Sequence, residues 1–130
     1  MTAARKMPRF SLLDGYMSVC RLGPSSDIPD WATESGFCSV TRTLDELSVV
    51  CPQDSAPEGI RCEGGWRVLK LEGPFEFSEV GVLASVAVPL AEAGVSIFAV
   101  STFDTDYVLV KDEQLESAVR ALRERSHEVL

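Results

Sequence analysis

Few residues of this sequence combine the type and spacing that covalent catalysis requires. The chain holds one histidine, His127, placed after the last segment with helical periodicity. A serine or cysteine nucleophile would need that imidazole as its general base, but its position favours a solvent-exposed side chain that interacts with the end of a helix. Asp104 and Asp106 stand two apart in a turn-like segment, and two carboxylates without a longer ligand loop bind Mg²⁺ or Ca²⁺ poorly. We therefore expect neither catalytic residues nor a metal site.

The four cysteines, Cys20, Cys38, Cys51 and Cys62, all lie in the first half of the chain. They form no CxxC motif and no Cys/His pair, which argues against zinc and against a thioredoxin-like redox motif. Glycine-rich patterns that cradle dinucleotides or triphosphates are also missing, so we expect no cofactor. Because the sequence has neither a signal peptide nor a membrane-spanning apolar run, we expect reduced thiols in a cytoplasmic protein.

The charge distribution argues against nucleic acid and membranes as partners. The net charge is -8, from 20 acidic and 12 basic residues, and both halves are acidic. An acidic surface repels polyanions and anionic lipid. The only basic cluster, Arg5, Lys6 and Arg9, lies close to the N-terminus and is expected to be a frayed end. With 130 residues, 45% of them hydrophobic, the chain suits one domain or two small units that share a core.

One candidate binding segment stands at the predicted start of a helix. Its residues are Glu79, Val80, Gly81 and Val82. The first N–H groups of a helix have no intrahelical acceptor, and the helix dipole favours a carboxylate beside them. Gly81 allows a ligand to approach the backbone closely. The structural alternative is that Gly81 only eases packing of the helix on a sheet.

A second candidate segment is the turn that contains Thr102, Phe103 and Asp106. Thr102 offers a hydroxyl, Phe103 an apolar wall and Asp106 an anion for an ammonium group. Together with a carboxylate site at the helix start, these groups match the two ends of an α-amino acid. The alternative is that Phe103 belongs to the core and that the aspartates only solvate a turn.

The second half of the chain has the periodicity of a complete β-α-β-β-α-β unit. Strands are predicted at 66–72, 95–100 and 107–110, with a short fourth strand at 126–130. A first helix is predicted from Glu79, capped by Ser78 and ended by Gly94, and a second at 112–125, capped by Asp112. This order is the ferredoxin-like split βαβ arrangement. It brings the start of the first helix near the turn between strands two and three.

The first half repeats the opening of that pattern with weaker elements. A strand is predicted at 17–22, one or two helical turns at 29–34, a hairpin of 37–42 and 47–51, and a connector or an abbreviated helix at 52–65. The predicted fold class is therefore α+β, with two tandem ferredoxin-like units. Residues 10–65 form the abbreviated unit and residues 66–130 the complete one.

Three stretches of the second half resemble the ACT domain. They are 77–84 (FSEVGVLA), 89–98 (PLAEAGVSIF) and 101–110 (STFDTDYVLV). The resemblance is strongest to the subgroup that includes the cytosolic arginine sensors and small bacterial proteins with tandem ACT units. It covers residues 66–126 well and the first half loosely.

The resemblance implies a regulatory or sensor protein without catalytic activity that binds a small molecule, an amino acid above all, at interfaces between units. By position, Gly81 matches the glycine of the first strand–helix loop, and Glu79 an acidic residue of the arginine sensors. Thr102, Phe103 and Asp106 match the sensors' STF-x-x-D segment. Those sensors carry more ACT units per chain, so a complete site is expected to need a second chain in a homodimer. The alternative is an ACT-fold dimerisation or interaction module that holds no ligand.

Overall fold

The computed structural model describes residues 8–34, 36–73 and 80–130, which divide into two compact units. The first unit is Gly15–Trp66, and the second joins Arg67–Leu130 to the described residues up to Asp14. In the described ranges the strands are β1 (Arg9–Leu12), β2 (Met17–Leu22), β3 (Ser39–Arg42), β4 (Leu47–Pro52), β5 (Arg61–Leu71), β6 (Ile97–Ser101), β7 (Asp106–Lys111) and β8 (Glu128–Val129), and the helices are α1 (Ala84–Glu92) and α2 (Leu115–Glu124).

The first unit is an antiparallel sheet in the order β3-β4-β2-β5. The predicted β3–β4 hairpin is confirmed, and the hydroxyl of Thr43 holds its turn by accepting the N–H groups of Asp45 and Glu46, each at 3.1 Å. The helical turns predicted at 29–34 shorten to a single 3-10 turn, Asp30–Ala32. So short a segment cannot offset the cost of helix nucleation.

The predicted connector at 52–65 is wrong at its C-terminal end, because β5 already begins at Arg61. Gly64 and Gly65 lie inside this strand, where the register with β2 slips between Met17 and Val19. Gly65 has φ +79°, and its N–H donates to the Gln53 side chain at 2.6 Å. The two glycines therefore form a bulge within the strand instead of ending it.

Two of the four cysteines are joined, which corrects the expectation of reduced thiols. Cys20 and Cys62 are register partners on β2 and β5, and they form a disulfide with Cα atoms 4.1 Å apart. Cys38 and Cys51 are free thiols. The bonded pair is 42 positions apart in the sequence. Only the strand register brings the two residues opposite each other, and that register is not visible in the spacing.

The second unit is a sheet in the order β6-β7-β5-β1-β8 that carries α1 and α2 on one face. Its core is a cluster of buried side chains from both helices and the central strands: Phe10, Leu69, Leu71, Val86, Leu90, Val95, Val108, Val110, Ala118 and Leu122. Each large aliphatic side chain buried there contributes about 1.5–3 kcal/mol. The predicted α+β ferredoxin-like arrangement is confirmed for this unit.

The first strand of the second unit comes from the N-terminal segment. Arg9 opens β1, which lies between β5 and β8, and its guanidinium pairs with Glu128 at 3.2 Å. Phe10 is fully buried. The expected frayed end is therefore wrong at Arg9, while Arg5 and Lys6 lie outside the described residues. The predicted short strand at 126–130 is confirmed as β8.

Both helices begin later than the sequence predicts. Residues 80–83 form a turn, and α1 starts at Ala84, whereas the predicted cap Ser78 lies outside the described residues. Asp112 begins a 3-10 turn and does not cap α2, since its carboxylate accepts a hydrogen bond from Arg67 at 3.1 Å. The predicted end of the first helix is confirmed, because Gly94 follows α1 with φ +74°.

Candidate functional site

Both candidate segments lie at one end of the second unit's sheet. At the exit of β5, the Thr105 hydroxyl donates to the carbonyl oxygen of Leu71 at 2.7 Å. On the other side of β5, the N–H of Glu72 donates to the carbonyl oxygen of Arg9 at 2.7 Å. A histidine side chain also contacts both the start of β1 and the first turn of α1. The start of α1 and the β6–β7 turn therefore share this end of the sheet.

That histidine is His127, which is buried, with 3% of its surface exposed. Its Nδ1 lies 2.9 Å from the carbonyl oxygen of Pro8, and its Nε2 lies 2.9 Å from the carbonyl oxygen of Ser85. Its ring meets Phe10 edge-on, with centroids 5.4 Å apart. The expectation of a solvent-exposed histidine is wrong, because Ser126, at φ +69°, turns the chain back from α2 into β8.

His127 contacts both the start of β1 and the first turn of α1, and the sequence did not predict this. Its two partners are 119 and 42 positions away along the chain. The local pattern is a run of polar residues after a helix, Ser126, His127 and Glu128, which is more typical of exposed positions. The predicted fourth strand at 126–130 was the one available signal, since a paired strand buries alternate side chains.

The first candidate segment is a turn that leads into α1. Gly81 has φ +81°, and among the described residues, its two chain neighbours aside, no atom lies within 4 Å of a Cβ atom built on it. Its carbonyl oxygen accepts the Ser85 N–H at 2.9 Å, and the Ser85 hydroxyl donates to the carbonyl oxygen of Val82 at 2.6 Å. The left-handed backbone conformation explains why this position is a glycine. Val80 is 81% exposed, and Glu79 lies outside the described residues.

The second candidate segment is the β6–β7 turn. Thr102 holds it together: its hydroxyl donates to the Thr105 carbonyl oxygen at 2.9 Å and accepts the Thr105 N–H at 3.4 Å. Phe103 is 77% exposed, so the alternative that it belongs to the core is wrong. Asp106 is half-buried at the start of β7, where it pairs with Ser101.

The described residues hold no grouping of three or more histidine, cysteine or acidic side chains placed to bind a metal ion. In the same part of the chain, neither helix is long and apolar enough to cross a membrane. The end of the sheet instead presents an open glycine before a helix, an exposed apolar side chain at Val80 and another at Phe103, and the half-buried carboxylate of Asp106.

Two parts of the chain match models of known protein families. Residues 61–124 match the family model of the ACT domain, and residues 15–59 match a second model that describes an N-terminal domain. The chain belongs to the ACT domain family. The second unit of this ACT domain protein therefore has the ferredoxin-like fold of its family.

Among curated proteins, this ACT domain protein is similar to the human Cytosolic arginine sensor for mTORC1 subunit 1. The two are 30% identical over 120 residues, which is 89% of this chain and 29% of the sensor. The mouse sensor of the same name is 34% identical over 120 residues, 28% of its length. The chain thus spans less than a third of the curated relatives that it matches.

Among solved structures, a protein of Agrobacterium tumefaciens matches with a TM-score of 0.92 and 42% identity, over 97% of this chain and 94% of that one. The regulatory subunit of aspartate kinase from Thermus flavus matches with a TM-score of 0.65 over 94% of this chain and 99% of the subunit. At 14% identity, that second likeness shows the fold alone.

Proposed function

We propose that this protein is a non-catalytic regulator that binds a small molecule, an amino acid in the first place, at the end of the sheet formed by residues 79–82 and 102–106. The observation that carries the proposal is Gly81. It has a left-handed backbone conformation in the turn that leads into α1, and among the described residues only its chain neighbours lie within 4 Å of a Cβ atom built on it. A glycine there lets a ligand approach the main chain. The similarity to the arginine sensors supports the same class of ligand.

The carboxylate and the ammonium group of an amino acid each have a group of complementary charge at this end. The start of α1 provides backbone N–H groups and the positive end of a helix dipole, which favour a carboxylate near Gly81 and Val82. The carboxylate of Asp106 would take the ammonium group. The Thr102 hydroxyl fixes the turn that presents Asp106, and its oxygen keeps the capacity to accept one more hydrogen bond.

Binding at this end would bury two apolar side chains that are exposed in the single chain. Val80 and Phe103 are both large, apolar and mostly exposed. Exposed apolar side chains that lie together on a surface mark binding sites. In this proposal the aliphatic part of the ligand covers one of them, and a second copy of the chain covers the other. A homodimer would in this way complete the site.

The test is a thermal-shift series with the twenty amino acids, each at millimolar concentration, followed by calorimetric titration of any compound that stabilises the protein. A ligand present at about 100 times its dissociation constant adds about 2.7 kcal/mol to the free energy of unfolding. Asp106→Asn is expected to abolish the response, while Asp104→Asn, in the exposed part of the same turn, is the matched control and should retain it. Equal binding by both variants would remove Asp106 from the site.

A second pair of variants tests the glycine. Gly81→Ala and Gly59→Ala both place alanine at a positive φ (+81° and +89°), and among the described residues only the chain neighbours lie within 4 Å of either new methyl group. Gly81→Ala is expected to weaken binding and Gly59→Ala to leave it unchanged. If neither variant alters binding, the ligand does not approach Gly81. Size-exclusion chromatography with light scattering tests the homodimer, and a monomer at high concentration would contradict it.

The competing proposal is an ACT-fold dimerisation module that holds no ligand, favoured by the exposure of Val80 and Phe103. It predicts a dimer whose melting temperature none of the twenty amino acids raises. A Phe103→Ser variant would then become monomeric.

A further inference from the structure

Three of the four cysteines pack together in the first unit. Cys20 and Cys51 belong to a single buried cluster, against which Val40 and Cys62 pack. Cys38 precedes Val40 by two residues and lies directly before β3. Because side chains alternate between the faces of a strand, extending β3 back by one residue would place Cys38 on the same face as Val40.

Cys38 directly precedes β3, and Cys51 lies on the neighbouring strand β4. The β3–β4 register ends with the pair Ser39 and Val50, and continuing it by one residue would place Cys38 opposite Cys51. Directly opposed residues of antiparallel strands have Cα atoms about 4.5–5.5 Å apart, a separation that a disulfide can bridge. The pair Cys20 and Cys62 stands in the same relation on β2 and β5, and it is joined.

The two free thiols differ sharply in access to solvent. Cys38 is exposed, whereas Cys51 is fully buried. Burial raises the pKa of the Cys51 thiol, and the neighbouring Cys38 raises it further, which agrees with their closeness. A small molecule in solution therefore meets the sulfur of Cys38 first, and the sulfur of Cys51 is reached through Cys38.

We propose that Cys38 and Cys51 form a thiol–disulfide exchange site whose substrate is a low-molecular-weight disulfide. The Cys38 thiolate attacks one sulfur of the substrate, which breaks the substrate's S–S bond, forms a mixed disulfide on Cys38 and releases one thiolate. The Cys51 thiolate then attacks the Sγ atom of Cys38, which forms the Cys38–Cys51 disulfide and releases the second half of the substrate as a thiolate. The protein pair is oxidised by two electrons, and the substrate is reduced by two.

The experiment uses the full chain with its Cys20–Cys62 disulfide intact and oxidised glutathione as the probe, without oxygen. After acid quenching and alkylation of free thiols, trypsin cleaves after Arg21, Arg42 and Arg61 and so separates the four cysteines into four peptides. Mass spectrometry is expected to find the peptide of Cys38 linked to that of Cys51, with the peptides of Cys20 and Cys62 still joined to each other.

Variants separate the two steps. Cys51→Ala is expected to accumulate glutathione on Cys38, because the resolving thiol is missing. Cys38→Ser, an exposed change that the fold tolerates, should show neither the adduct nor the linkage and should leave Cys51 reduced. Ser39→Ala is the matched control on β3 and should link like the parent protein. Should Cys51→Ala fail to fold, Cys38→Ser and Ser39→Ala still decide the matter.

Three results would overturn the proposal. One is a stable glutathione adduct on Cys38 of the parent protein without any linkage to Cys51. Another is a linkage of Cys38 to Cys38 between two chains. The third is a Cys38–Cys51 disulfide that forms without added glutathione while Cys62 becomes alkylated. The oxidant would then be the Cys20–Cys62 disulfide of the same chain and not a small molecule.

Discussion

Replacing His127 by leucine is expected to destabilise the second unit far more than a single polar change near the end of a chain ordinarily would. Leucine keeps a comparable apolar volume and removes both ring nitrogens. The carbonyl oxygens of Pro8 and Ser85, each 2.9 Å from a ring nitrogen, then lose their partner. The start of β1 and the first turn of α1 would no longer be joined.

The magnitude follows from these contacts. A buried acceptor left without a partner costs about 1–3 kcal/mol. Because a neutral imidazole has a single N–H to donate, this cost is counted for one of the two carbonyl oxygens, both of which belong to half-buried residues. The edge-on contact with Phe10 adds about 0.5–1.5 kcal/mol. We expect the free energy of unfolding to fall by about 2–4 kcal/mol, equivalent to a loss of about 10 °C in melting temperature for a chain of this size.

Urea denaturation followed by circular dichroism measures this change. The control is Glu128→Gln, one residue further along, which removes only the surface ion pair with Arg9 and should cost less than about 1 kcal/mol. His127→Gln, whose amide can reach one of the two carbonyls, should recover part of the loss. If His127→Leu unfolds within about 0.5 kcal/mol of the parent protein, the two contacts contribute nothing and the reasoning fails.

Three further predictions follow from other contacts. Thr105→Val removes the hydroxyl that donates to Leu71 and should lower the free energy of unfolding by about 1–2 kcal/mol in urea denaturation; no change would mean that the turn holds without this bond. Exchanging Cys20 and Cys62 for alanine opens a disulfide between residues 42 apart and should cost about 4 kcal/mol by the chain-entropy model, and a cost below about 1 kcal/mol would contradict it. Burial raises the pKa of Cys51 in the folded protein above its ordinary value of 9.0, so the thiol loses its proton at a lower pH in the unfolded chain than in the folded protein. Its contribution to stability is therefore complete below pH 9.0 and declines as the pH rises above 9.0. Denaturation of the parent protein and of Cys51→Val across that range measures this, and parallel curves would show that Cys51 titrates alike in both states.

The sequence predicts elements where periodicity is local and strong. The strand 17–22, the β3–β4 hairpin and the end of α1 at Gly94 were all predictable from alternation or capping over a few residues. The start of α1 was not, because Val82 and Leu83 continue the apolar period of the helix although they lie in the preceding turn. Periodicity identifies the buried face of a helix better than it identifies the residue at which the helix begins.

The features that the sequence did not predict depend on contacts between distant residues. Strand β1 has only four residues, and its partners β5 and β8 lie far along the chain. The Cys20–Cys62 disulfide depends on the register of two strands, and that register depends on the bulge at Gly65. The residues proposed for the candidate site stay a prediction, and the contacts of His127 could not be predicted because they depend on how both ends of the chain pack.

The position of β1 also determines how this ACT domain can be divided. Arg9 pairs with Glu128 and the N–H of Leu130 donates to Phe10 at 2.7 Å, so β1 fills a slot between β5 and β8. A fragment that begins at residue 66 would carry both helices and leave that slot empty, with the place of Phe10 vacant in the core. Such a fragment and a synthetic peptide of residues 8–14 form a natural pair for fragment complementation, in which the peptide restores the fold by adding the missing strand.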